Sequence, residues 1–139
     1  TLYISGDFSM RSNTQLEITE GSRLTLFLDG SFEQESNTQI NNLTRKASNL
    51  VILGTDSFNG VMQWNSNSQF WGSVYVPNAN VDFNSNADFY GAIVGRSVNS
   101  ISSNSRIHYD VALSDLIVNF EGDFPYVVKS WQEKFIKLQ

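Results

Sequence analysis

Apolar and polar residues alternate in short runs along most of the chain, and the runs lead into the same dipeptide. Phe8 and Met10 precede Ser12-Asn13, Met62 and Trp64 precede Ser66-Asn67, and Val81 and Phe83 precede Ser85-Asn86. Period-2 alternation predicts strands with one buried face. The dipeptide opens a five-residue pattern: Ser-Asn, two mostly polar residues, then an apolar one. It occurs at Ser12–Leu16, Ser36–Ile40, Ser66–Phe70, Ser85–Phe89 and Ser103–Ile107, at successive spacings of 24, 30, 19 and 18 residues. Self-similarity near 20 residues is the mark of a solenoid. The period is too short for a pair of helices, and these segments carry no 3.6-residue pattern. Asn enters the left-handed conformation at low cost, which suits a sharp corner between strands. Asn13, Asn37, Asn67, Asn86 and Asn104 are therefore expected at equivalent structural corners. Coils stack about 4.8 Å apart, so their amides are expected to bond as a ladder. The predicted fold is all-β: a single-stranded parallel β-helix of about five coils of 18–30 residues.

Segment by segment, Leu2 to Met10 reads as a strand interrupted at Gly6-Asp7, with Leu16 and Ile18 continuing after the first corner. Leu24, Leu26 and Leu28 alternate between the turns Glu20-Gly21-Ser22 and Asp29-Gly30. Residues 41–49 break the pattern and are expected as a loop extruded from one corner, accounting for the 30-residue interval. Leu50 to Leu53 is a continuous apolar run, ended by Gly54 and a loop to Gly60. Phe70, Phe89 and Ile107 are expected to stack as one inward column, Trp64, Phe83 and Ile101 as another, and Val74 with Ile93 as a third. Five coils give a rod roughly 24 Å tall. Parallel crossovers are overwhelmingly right-handed, so a right-handed coil is expected. A left-handed hexapeptide helix stays open, although its strict hexad of small residues is missing.

Coils are assigned to residues 1–113, and residues 114–139 to a C-terminal cap of the same domain, since solenoid ends need covering. Ser130-Trp131-Gln132-Glu133 has the Ser-x-x-Glu form of a helix start, and Trp131, Phe135 and Leu138 share one helical face. An amphipathic helix is the first reading of this segment, and a final strand through Tyr126–Val128 the second.

Composition narrows the function. The 139 residues suit one domain. Charged residues are 17% of the chain, below the usual quarter, with hydroxyl and amide groups in their place. A net charge of −5 argues against nucleic acid or an anionic membrane as partner. No cysteine is present, so disulfide and thiolate chemistry are excluded. No stretch reaches the ~20 apolar residues of a membrane span. The chain opens inside a strand-like pattern with no initiator Met. This is the expectation for a domain excised from a longer protein whose targeting or anchor segment is missing.

The strings Asp88-Phe89-Tyr90-Gly91-Ala92-Ile93-Val94-Gly95-Arg96-Ser97-Val98, Ile107-His108-Tyr109-Asp110 and Ser130-Trp131-Gln132-Glu133 carry a resemblance. The chain resembles the C-terminal β-helical domain of bacterial pilus-assembly proteins of the PilX-like and MSHA-biogenesis type. The likeness covers the chain from Gly72 onward, and the first half only through its repeats. It implies an extracellular, cell-surface or periplasmic domain that works with other pilus or envelope proteins. It carries over no catalytic residues and no cofactor.

Candidate chemistry is sparse. His108 stands two residues before Asp110, on the same face if the strand continues, so an imidazole–carboxylate pair is conceivable. Asp82, Asp88 and Asp110 fall at different offsets from their Ser-Asn pairs, which speaks against one catalytic or metal-binding column. The Gly-Gly-x-Gly-x-Asp calcium repeat, phosphate loops and zinc spacings are absent. If Phe70, Phe89 and Ile107 face inward, then Trp71, Tyr90 and His108 face outward in three successive coils. Such an aromatic column is the candidate binding site, a platform for a glycan or a protein; the alternative is that the rings stack on one another or lie under the C-terminal segment. The expected function is a non-catalytic structural or adhesive module of a bacterial surface or type IV pilus-like assembly. Alternatives are a carbohydrate-binding or carbohydrate-cleaving β-helix and a self-stacking scaffold of bactofilin type.

Overall fold

The computed structural model describes residues 1–65, 67, 69–84 and 86–115. Eleven strands are assigned among them: β1 (Leu2–Ile4), β2 (Phe8–Met10), β3 (Gln15–Ile18), β4 (Leu24–Leu28), β5 (Phe32–Gln34), β6 (Gln39–Asn42), β7 (Leu50–Gly54), β8 (Val61–Trp64), β9 (Gln69–Phe83), β10 (Asp88–Ile101) and β11 (Arg106–Tyr109). Two single turns of 3-10 helix cover Ala47–Asn49 and Val111–Asp115. Every strand pairing is parallel. The chain is a β-solenoid of about five turns.

The pairings sort the strands onto three faces. Face A stacks β1, β4, β7, the middle of β9 and the middle of β10. Face B stacks β2, β5, β8 and the last parts of β9 and β10. Face C holds β3 on β6, then the starts of β9 and β10, then β11. Between β6 and β9 the Asn42 side-chain amide donates to the Trp71 carbonyl at 3.0 Å. Both β9 and β10 run from face C into face A without a break, and Gly72 and Gly91 lie in register at that bend. A Cβ on Gly91 would lie 1.9 Å from the Gly72 carbonyl oxygen, and Gly91 has φ +147, so the two coils close up there only as glycine.

The corner between faces B and C has constant length. From Met10 to Gln15, Gln34 to Gln39, Trp64 to Gln69, Phe83 to Asp88 and Ile101 to Arg106 the step is five residues each time, and each set lies in register with its neighbours where pairs form. Asn13 and Asn37 take φ 66 and φ 61 there, the left-handed conformation expected of them, whereas Asn104 turns its corner without it. The Thr14 and Ser105 amides each donate back three residues, to Arg11 and Ser102, closing a tight turn. The other two corners vary, and they set the repeat spacing.

The 30-residue interval therefore needs correcting. Between the first two coils the offset is uniformly 24, as in Leu2–Leu26 and Phe8–Phe32. Between the next two it is 26 on face A, Leu24–Leu50, and 30 on face B, Phe32–Met62. Residues 41–49 add only two residues, and the loop at 55–60 adds the other four. Neither loop is extruded. Asn41 and Asn42 belong to β6, and Ala47 is fully buried. The Asn42 amide bonds the Lys46 carbonyl at 2.9 Å, while its oxygen accepts from the Thr44 amide and hydroxyl. Phe58 in the second loop is buried beside Gly54, which has no side chain to exclude it.

The interior is a ladder of side chains. Trp64 stacks on Phe83 at 5.0 Å and Phe70 on Phe89 at 5.0 Å, the two columns meeting edge to face, as between Trp64 and Phe70 at 76°. Offset stacks and T-shaped contacts are the favoured aromatic geometries. Val74 and Ile93 pair in the third column, as expected. Ile101 and Ile107 sit in register below Phe83 and Phe89 but are 53% and 44% exposed, because no coil follows them among the described residues. The expected cap at 114–139 falls almost wholly outside the described residues; Ser114 and Asp115 belong to the second 3-10 turn.

Candidate functional site

The outward side of face C carries the candidate residues because strand parity puts Trp71, Tyr90 and His108 opposite the buried Phe70 and Phe89 and opposite Ile107. Trp71 pairs with Tyr90 and Tyr90 with His108 in register. Their rings form one stack: 4.1 Å and 7° between Trp71 and Tyr90, 4.5 Å and 10° between Tyr90 and His108. Trp71 and Tyr90 are half-buried, and His108 is exposed. The rings turn their faces to each other. The column expected from the sequence is thus a single face-to-face stack of rings along the rod.

Beside the stack runs a second outward column. Asp88 and Arg106 are in register and form a two-pronged ion pair, Nε to Oδ1 at 2.7 Å and Nη2 to Oδ2 at 3.1 Å. The Asp88 carboxylate raises the Arg106 guanidinium above its ordinary value, first through the hydrogen bond and then through charge.

The conceivable His108–Asp110 pair is not formed. Strand β11 ends at Tyr109, and the Asp110 carboxylate turns to the backbone, accepting from the Ala112 amide at 3.0 Å and the Ala47 amide at 3.4 Å. It caps the final 3-10 turn and ties it to the 41–49 segment. Asp82 accepts from the Ser100 hydroxyl at 3.3 Å on face B. The three aspartates thus serve separate partners. Among the described residues no group of three His, Asp or Glu side chains is arranged to hold a metal, and no helix is long and apolar enough to cross a membrane.

The corner asparagines form a partial ladder. Asn67 accepts from the Asn86 main-chain amide at 3.2 Å, and the Asn13 amide donates to the Asn37 carbonyl at 3.2 Å. The amide-to-amide link lies two residues earlier, from Asn84 to the Asn65 side chain at 2.9 Å, extended by the Ser100 hydroxyl onto Asn84. All five corner asparagines are exposed. The ladder expected at Asn67, Asn86 and Asn104 is therefore shifted to the first residue of the turn, nearer the strand, where side chains of successive coils line up.

A profile of a domain of unknown function (DUF7305) matches residues 1–116. The chain belongs to the DUF7305 family. That match spans the five coils and the final 3-10 turn of the DUF7305 chain. No curated protein and no solved structure matches it.

One outward column of the DUF7305 chain escaped the sequence reading. Tyr3, Phe27, Leu53, Tyr75 and Val94 lie in register on face A through all five coils. The signal was present in Leu24-Thr25-Leu26-Phe27-Leu28: with the leucines inward, Phe27 points out.

Proposed function

We propose that the chain is a rigid, non-catalytic structural module of a bacterial surface or type IV pilus-like assembly, acting outside the cytoplasm with other pilus or envelope proteins. One observation carries the reading: the chemically capable groups on the outer C face engage each other along the rod. Trp71, Tyr90 and His108 stack, and Asp88 pairs with Arg106. A catalytic face keeps its acid and base free to meet substrate; here they are partners of the neighbouring coil. The mutual stacking weighs toward the structural over the adhesive form of the reading. The resemblance of Asp88–Val98 and Ile107–Asp110 to pilus-assembly domains supports the assembly. The test is to tag the full-length gene product in the 55–60 loop and fractionate the native cells. The tag is expected in the envelope or sheared surface fraction, and recovery in the cytosol overturns the proposal.

A second reading, glycan binding, keeps one foothold in the exposed His108 at the end of the stack.

A further inference from the structure

Two corners between faces C and A are built as turns, at residues 19–23 in the first coil and 43–49 in the second. The next two coils pass from C to A as continuous strand. Leu24 and Leu50 are in register, so the two turns lie one above the other. Between them opens a cleft of about 350 Å³, lined by Glu20, Ser22, Arg23, Thr44, Lys46 and Asn49. Ligand sites start at about 300 Å³, so the cleft suits one small molecule. No lining side chain is apolar, and a ligand here is held by charge and hydrogen bonds.

Charge gathers at these turns against the trend of the chain. Arg23, Arg45 and Lys46 are three of nine cations in a sequence of net charge −5. Among the described residues Arg23, Lys46 and Glu20 stand in no ion pair, although all three line one cleft and are exposed. The two cations are thus available to an anion, and the carboxylate is held apart from both. The polar wall between them is fixed. The Thr44 hydroxyl donates to Asn42 Oδ1 at 2.6 Å and accepts from Asn49 Nδ2 at 3.0 Å, which leaves the Asn49 side-chain oxygen as an acceptor. Arg45, beside Lys46, takes φ 50, a left-handed position costly for a long side chain; such strain concentrates at ligand sites.

We propose that this cleft binds a carboxylate-bearing sugar, a hexuronate unit of an acidic glycan. Arg23 and Lys46 take the carboxylate, the guanidinium through paired N–H groups. Glu20 and the Asn49 oxygen accept from the sugar hydroxyls. Glu20 decides between ligand classes: it repels acetate, which has no hydroxyl to offer, and strengthens the grip on a sugar. At the usual yield per non-hydrogen atom, one uronate is held at about 1 mM. Copies of the module along one glycan raise that by avidity. The inference does not rest on where the protein resides or on what it assembles with.

Titration of the full, isotope-labelled chain with glucuronate, followed by amide chemical shifts, tests this. The Arg23, Thr44, Lys46 and Asn49 amides are expected to shift together and saturate around about 1 mM. Glucose should leave them unmoved, and acetate should bind several-fold more weakly. Arg23→Gln and Lys46→Gln, checked for native circular dichroism, should each weaken glucuronate several-fold. Glu20→Ala should cut the preference for glucuronate over acetate. No saturating shift at these amides overturns the proposal, as would be so if residues 116–139 cover the cleft. Acetate bound as tightly as glucuronate also overturns it, in favour of a bare cationic patch. Glucuronate bound equally by the parent and both cation variants, or shifting His108 instead, does the same. A Glu20→Ala variant that tightens both ligands alike overturns the hydroxyl contact and with it the sugar.

Discussion

Single residues fix the places where the rod bends. Gly91 cannot take a side chain, because its Cβ would fall 1.9 Å from the Gly72 carbonyl oxygen and its backbone φ is +147. Gly91→Ala is expected to cost about 3 kcal/mol, combining left-handed strain with overpacking. Gly21, at φ +76 with open space around it, should lose only about 1 kcal/mol on the same change; urea unfolding of both variants compares them. Asn37 at φ 61 is held for its backbone. Asn37→Gly should be near neutral, and Asn37→Ala should lose about 1 kcal/mol in the same experiment. Asp29 gives a pH signature. Hydrogen bonds from the Thr55 hydroxyl, and then from Tyr3, hold its carboxyl below the usual carboxylate range, and the same contact raises the Tyr3 phenol. A depressed carboxyl contributes stability that is complete above its unfolded value of about 3.9 and lost as pH falls through the folded value. Asp29→Asn is therefore expected to flatten the acid limb of stability from about pH 5 downward; an unchanged limb removes these bonds from the account.

At the scale of elements, the corner between faces B and C explains what could be read in advance. It is always five residues long, with Asn left-handed in the first two coils, so it left the same Ser-Asn signature five times, and with it the coil count and the inward columns. The other corners left no signature because they are built in different ways: a continuous strand through Gly72 and Gly91, a turn organised by Asn42, a loop packed by Phe58. Residues 41–49 looked extruded because they are polar, yet Asn42 satisfies its polar neighbours internally and Ala47 plugs the bend. The ring stack was legible as an outward column from parity, with mutual stacking as one of two readings, and side-chain rotation decides between them. Phe58, buried beside Gly54, should behave as core despite its loop position. Phe58→Ala is expected to cost about 3–5 kcal/mol in thermal or urea unfolding, whereas an extruded loop would lose almost nothing.

On the scale of the whole molecule, the rod turns its outer chemistry on itself along face C and leaves face A uncharged. The central claim is that Trp71, Tyr90 and His108 serve the rod rather than a ligand. Each aromatic pair of this kind contributes about 0.5–1.5 kcal/mol beyond area burial. The most direct test is to measure the Trp71→Ala/Tyr90→Ala double variant beside the parent, by unfolding and on a glycan array. The account predicts a stability loss of about 1–3 kcal/mol with no change in glycan binding. An unchanged melting temperature together with lost glycan binding would contradict it.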